Sequence, residues 1–325
     1  MKYVYQPPTS DEDFNVENLR GFYEFVFERQ RVWYRRFVLQ RDRPWTKDEI
    51  LQKYKYTNVY RELDRGTLWM FENILTTQIM NAQDKLKMGR KARINLLRNV
   101  IWKICQYRLL NKVETFDDVG LVSFDKYGKQ NHNGFLERIW LRRDSGEKVW
   151  TDAHITLQCN LKQDRLKNYE TILDRLHINI GDIAEFVESN TNIQEVFERI
   201  KQEYGFGPFI SYEVVTDLAY IPWLNLNIDD WANPGPGCQF GLKLIWPNMK
   251  GQQEFQEGMK WLRDNQEKCF DILELDWQKV CYNNSWLNLR NIEHSLCEFG
   301  KYWKQGQNVG RARPIFRQHT FIDMV

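Results

Sequence analysis

No two of the six cysteines form a pair at short spacing. Cys105, Cys159, Cys238, Cys269, Cys281 and Cys297 are scattered, without a CxxC, which argues against structural zinc and against an iron–sulfur cluster. Dispersed free thiols fit a reducing compartment. No apolar run approaches the roughly 18 residues of a membrane span, and the opening MKYVYQPPTSDEDF lacks the apolar core of a signal peptide. A cytoplasmic protein with no membrane partner is therefore expected. Neither GxxxxGK[ST] nor a helix-opening GxGxxG occurs, so no nucleotide cofactor and no metal are indicated. Net charge is only +2, which excludes a global basic field, and any nucleic-acid surface has to be local. Internal repeats and low-complexity linkers are also missing.

What remains is a globular composition, 28% charged and 42% apolar, long enough for one large or two ordinary domains. Aromatics are in surplus, with 13 Trp, 15 Tyr and 19 Phe. Most must be core, although base-stacking surfaces draw on the same side chains. The periodicity predicts helices over 16–37, 58–74, 91–110, 164–220 and onward to about 304. In the 46–49 segment, Thr46 reads as the N-cap and Glu49 as its capping-box partner. On a helix from Asn58, residues Asn58, Arg61 and Arg65 would share a polar face with Asp64 at its edge. Such faces are commonly just solvated, and the functional alternative is a wall for a base or its phosphate. Gly, Asn and Asp punctuate 122–160, where KVWTDAHITLQCN could hold a strand. The expected organisation is an N-terminal helical part (1–121), an irregular or β insertion (122–163) and a C-terminal catalytic part (164–325), together one two-lobed unit.

The sharpest local pattern is IQEVFERIKQEYGFGPFISYEVVTDLAYI. Two helical stretches meet at Gly205-Phe206-Gly207, with Pro208 at the first helical position, where its missing N–H costs nothing. Glycines there allow close approach to a phosphate, and the helix N-terminus behind them supplies N–H donors. Gly205, Gly207 and Phe209 are the phosphate-binding candidates; an ordinary tight turn is the rival reading. Asp229 and Asp230 follow Gly207 by 22 and 23 residues, and Asp217 lies inside the second helix. Here the chain resembles the helix–hairpin–helix DNA glycosylases, in which a catalytic aspartate follows the hairpin at about this distance. The resemblance implies a mainly α, glycosylase-like helical fold with base flipping. It implies catalysis by Asp229, Asp230 or Asp217 stabilising charge on the deoxyribose and orienting water. Strand-cutting members carry a lysine two residues past the last glycine; Phe209 stands there, which implies a monofunctional enzyme.

Further segments resemble a narrower family, the α-glutamyl/putrescinyl-thymine pyrophosphorylases of phage DNA hypermodification, related in turn to the helical domain attached to hydroxymethyluracil DNA kinases. The matching stretches are PWTKDEILQKYKYTNVYRELDRGT (44–67), YRLLN (107–111), GFGPFISYEVVTDL (205–218), WANPGPG (231–237) and EHSLCEFGKY (293–302). Residues 122–160 match poorly. In the last helix Ile292, Leu296, Phe299 and Trp303 form a core stripe, and Glu293 and Lys301 join Asn58, Arg61 and Arg65 as base-pocket candidates. Cys297 reads as a packed thiol. Two basic runs, Lys85, Lys87, Arg90, Lys91 and Arg93, and Arg311, Arg313 and Arg317, could track phosphates or serve solubility. The leading expectation is a glycosylase excising a hypermodified pyrimidine from double-stranded phage DNA, in anti-phage defence. The alternatives are a transferase that replaces a (pyro)phosphate on 5-hydroxymethyluracil with an amine or amino acid, and a non-catalytic DNA-binding module. No protein partner is indicated.

Overall fold

The computed structural model describes residues 14–81, 87–127, 130–151, 163–310 and 315. The protein is mainly helical, as expected, and the described residues hold no β-strand, only an isolated antiparallel bridge between Tyr54 and Ile315. The chain divides into two compact units: one runs to Arg65 and resumes at Trp231, the other spans Gly66–Asp230. No helix among the described residues is long and apolar enough to cross a membrane.

The first unit is built on the helices Val16–Trp33, Pro236–Ile245, Gly251–Asp264 and Leu289–Gly306. Asn15 caps the first by accepting from the Asn18 N–H at 2.8 Å, and Asn288 caps the last by accepting from Asn291 at 2.9 Å. Phe22, Tyr23, Phe25, Val26 and Phe27 are buried on the opening helix; Leu289, Ile292, Leu296 and Phe299 are buried on the closing one. Most of the aromatic surplus is core: Phe270 and Trp277 stack at 4.6 Å, and Phe22 meets Phe299 edge-on at 5.7 Å. The helices Pro236–Ile245 and Leu289–Gly306 touch backbone to backbone. A Cβ on Gly241 would stand 2.9 Å from the carbonyl carbon of Leu296 and closer still to its oxygen. That neighbour is backbone and cannot swing aside, so Gly241→Ala should destabilise the protein by about 1–3 kcal/mol. A urea midpoint unchanged from wild type would refute this close packing.

In the second unit the helices Arg90–Leu110 and Arg165–Ser189 pack together, with Ile193–Lys201 and Pro208–Leu218 alongside. Arg165–Ser189 is long because its apolar residues keep helical spacing throughout: Tyr169, Ile172, Leu173, Leu176, Ile180, Ile183, Ala184 and Val187 are all buried. Asp164 caps it through the Leu166 N–H at 2.8 Å. Residues 121 and 163 both fall inside the Gly66–Asp230 unit. Residues 130–144, expected to be irregular, are the helix Gln130–Asp144. Phe135, Leu136 and Ile139 are buried there at helical spacing, and the preceding Asn-Gly masked the pattern. Residues 148–151 form no strand; the rest of that expected strand lies outside the described residues.

Candidate functional site

The stretch expected to be a helix from Asn58 is a loop. Asn58 donates its side-chain amide to the Leu63 carbonyl at 2.7 Å, and its N–H donates to Asp64 Oδ1 at 3.0 Å. These local bonds compete with helical ones, so only a 3-10 turn, Arg61–Leu63, forms before the helix Arg65–Asn73. Thr46 is not an N-cap either: Asp48 caps Glu49–Lys53 by accepting from Leu51, and Thr46 Oγ1 supports it through the Asp48 N–H. The consequence is a change of neighbours. Asn58 and Arg61 turn toward other charged groups, whereas Arg65 is exposed.

Within the first unit the 57–64 loop meets the opening and closing helices in a polar network. Arg29 donates to Asn58 Oδ1 at 2.8 Å and to the Tyr56 carbonyl at 3.1 Å. Arg61, buried, pairs with Asp64 through Nη1 and places the same nitrogen 3.2 Å from His294 Nε2; its N–H donates to Asn291 Oδ1 at 3.2 Å. Thr57 Oγ1 lies 2.5 Å from His294 Nε2, and its N–H donates to Glu298, one turn further along the closing helix. Lys301 donates to Glu298 Oε1 at 2.5 Å. Burial lowers the Arg29 guanidinium to about 10, against the upward pull of Asp64 and Glu298. Several kinds of polar group (hydroxyl, imidazole, guanidinium, carboxylate) are thus held together in a largely apolar core. They can hold an anion, hydrogen-bond a polar ligand and accept a proton.

Of the base-pocket candidates, Asn58, Arg61 and Lys301 belong to this network. Glu293 is half-buried near the Cys297 and Cys238 thiols, both of which its charge helps to raise. Arg29, Thr57 and His294 escaped sequence reasoning, since nothing local marks Arg29 reaching Asn58 across 29 positions or Thr57 meeting His294 across 237. Cys297 sits against Gly237, and burial raises its thiol to about 11. At pH 8 only about 0.1% would be thiolate, so iodoacetamide should leave Cys297 unlabelled in the native protein and label it after unfolding. Rapid native labelling, mapped by peptide mass, would contradict the packing.

In the second unit Ile193–Lys201 and Pro208–Leu218 are joined by a tight turn. Gly205 has φ +81°, and a Cβ there would lie 2.5 Å from Ile172 Cγ1, so both conformation and space require glycine. Gly207 is extended and precedes Pro208 as the N-cap, without a side-chain cap; Phe209 on the first turn is 39% exposed. Asp217 is fully buried, its carboxylate bound bidentately by Arg108. Asp229 and Asp230 stand in a turn organised by Asn227, which accepts from the Asp229 N–H at 3.1 Å and donates to Asp230 at 2.7 Å. Asp230 is exposed and Asp229 half-buried. Of the basic runs, Arg90 and Arg93 pair with Glu188, at 3.0 and 2.5 Å, and Lys87 and Lys91 are exposed. Lys85, Arg311, Arg313 and Arg317 lie outside the described residues.

These features define a mainly helical protein with a half-buried charged network in one unit and a glycine-dependent helix–turn–helix in the other. The chain belongs to the family described as "5-hmdU DNA kinase, helical domain", which matches residues 16–310. It is similar to a "5-hmdU DNA kinase" of Bacillus phage SP10, 28% identical over 294 residues, covering 86% of this chain and 44% of that protein. The chain therefore spans less than half the length of this relative. No solved structure matches it. The expectation of a base-excising glycosylase, a hydrolase, is overturned: this family and relative are named for a kinase of a DNA base, a group-transfer enzyme. The aspartate spacing that led to the glycosylase is satisfied by an ordinary Asn-organised turn.

Proposed function

We propose that this chain is a base-hypermodifying transferase acting on DNA that carries 5-hydroxymethyl-deoxyuridine. It exchanges a phosphate or pyrophosphate on the hydroxymethyl oxygen for an amine or amino acid. The observation that carries this reading is the network of Arg29, Thr57, Asn58, Arg61, Asp64 and His294, in a chain of a family named for chemistry on this base. The sequence has no GxxxxGK[ST], which favours a step after phosphorylation over ATP use by this chain. In the exchange, the carbon–oxygen bond to the (pyro)phosphate breaks and the leaving group takes its electron pair. A carbon–nitrogen bond forms at the 5-methylene, and the amine gives up a proton. Arg61 and Lys301 offset charge on the leaving group, Asn58 holds a uracil edge and His294 accepts the proton. In the second unit, the Gly205–Phe209 turn binds a DNA phosphate through backbone N–H groups.

The test incubates the protein with a duplex oligonucleotide carrying 5-phosphooxymethyl- or 5-pyrophosphooxymethyl-deoxyuridine, with putrescine or glutamate. Nucleoside mass spectrometry should detect the aminated base, with equimolar release of phosphate or pyrophosphate. A second reading, a DNA-holding module without catalysis, is favoured by one observation: the matched family is a domain, and the chain covers 44% of the phage kinase. Tight binding of the modified duplex with no change in base mass would establish that reading and end the transferase one.

A further inference from the structure

Outside this network, the end of the opening helix carries a surface of alternating rings and guanidinium groups. After Trp33 the helix widens into a π turn, Tyr34–Val38, and a loop follows to Trp45. Phe37, Val38 and Leu39 are 47%, 50% and 41% exposed, an uncommon run of apolar surface for one segment. Residues 34–45 hold four arginines against one aspartate. Tyr282 meets Trp33 at 5.9 Å, Trp33 meets Phe37 at 6.4 Å, and Arg36 covers Phe37 at 4.6 Å and Trp45 at 4.9 Å. Arg43 also covers Trp45, at 4.9 Å. The indole is fixed in place: its Nε1 donates to the Arg41 carbonyl at 2.6 Å, and Arg35 donates to the Trp45 carbonyl at 2.5 Å.

We propose that this ladder is a binding surface for single-stranded DNA, with bases stacking on Phe37 and the Trp45 face and phosphates meeting Arg36, Arg41 and Arg43. Rings held in advance lose little entropy when a base stacks on them, and every base offers a π face, so the surface is indifferent to sequence. Two guanidinium groups sharing one indole repel each other; burial and Arg43 both lower Arg36, and a phosphate relieves that repulsion. The charge therefore selects an anionic partner, and the exposed rings select one with free bases over a closed duplex. The inference rests on the reading of DNA as substrate, but not on the transfer chemistry.

Unmodified DNA is the probe, so that failure here is distinct from failure of the transferase reading. Fluorescence anisotropy would compare a labelled 20-nucleotide single strand with its duplex and with the RNA of the same sequence. The wild type should prefer single-stranded DNA over duplex by at least about tenfold. Phe37→Ala should weaken single-strand binding about fivefold or more. Arg36→Gln with Arg43→Gln should lower the salt slope by about 1.4, two phosphate contacts at roughly 0.7 each. Phe37 and Arg43 are exposed and Arg36 is half-buried, and unchanged melting curves would confirm folding; Phe37→Ala alone keeps the test valid if the arginine pair unfolds. Equal affinity for duplex, a preference for RNA, or variants that bind like wild type would overturn the proposal.

Discussion

Replacing Asp217 with alanine should cost about 3–5 kcal/mol of stability, read as a large fall in the urea midpoint. Arg108 donates from Nε to Asp217 Oδ2 at 2.5 Å and from Nη2 to Oδ1 at 2.6 Å, and Nη1 pairs with Glu213 at 2.9 Å. The side chains of Arg108 and Asp217 are 4% and 0% exposed. Burial pulls the guanidinium down, yet Asp217 and Glu213 outweigh it and hold Arg108 well above its ordinary value. Removing Asp217 leaves that buried cation with a single carboxylate. Glu213 and Asp217 are four apart on Pro208–Leu218, and Arg108 lies on Arg90–Leu110, so the triad clamps the hairpin's second helix to its neighbour. A variant with Arg108→Met, Glu213→Leu and Asp217→Leu together should recover most of the loss, because it removes the desolvation cost along with the pairing. A loss below about 1 kcal/mol for the single substitution would show that the triad is solvated.

The triad also marks what a sequence conceals. Asp217 is a carboxylate at a plausible distance from a hairpin glycine, and nothing near it announces a partner 109 residues away. The Arg165–Ser189 helix was legible because its evidence is local: eight buried residues on one period. The turn between Ile193–Lys201 and Pro208–Leu218 was legible for the same reason, since Gly205 and Pro208 each impose a backbone condition that reads without neighbours. Asn58 was misread because apolar period cannot register a loop closed by the Asn58 side chain on Leu63 and by its N–H on Asp64. The pairing of Thr57 with His294 spans 237 positions and depends on a loop meeting the closing helix, so composition could not reveal it. Function followed the same division. Short motifs pointed to DNA hypermodification, which the family match supports, whereas the glycosylase came from one spacing, Gly207 to Asp229, that an Asx turn meets by itself.

The second large effect is expected at His294. Under the transferase reading, His294→Gln should reduce single-turnover exchange by about 10²–10⁴-fold while leaving affinity for the modified duplex within about twofold. A guanidinium nitrogen only donates, so the 3.2 Å approach of Arg61 Nη1 requires a lone pair on His294 Nε2 and puts the ring proton on Nδ1. The Thr57 hydroxyl, 2.5 Å away, then donates into the same lone pair. A proton reaching the Thr57 oxygen from the incoming amine can thus pass to the imidazole as the hydroxyl's own proton moves on. Glutamine preserves an acceptor at this position, and so keeps the Thr57 and Arg61 contacts, but it cannot take up a proton near neutral pH. Substitution by glutamine therefore separates the two tasks that the ring could have. If His294 only braces the loop, glutamine restores exchange nearly to wild type and alanine alone is defective; if it accepts the proton, both fail alike. Thr57→Val should fail in parallel, because it removes the hydroxyl through which the proton travels. Exchange above about a tenth of the wild-type rate in His294→Gln would remove His294 from the chemistry and leave the network the task of holding the anion.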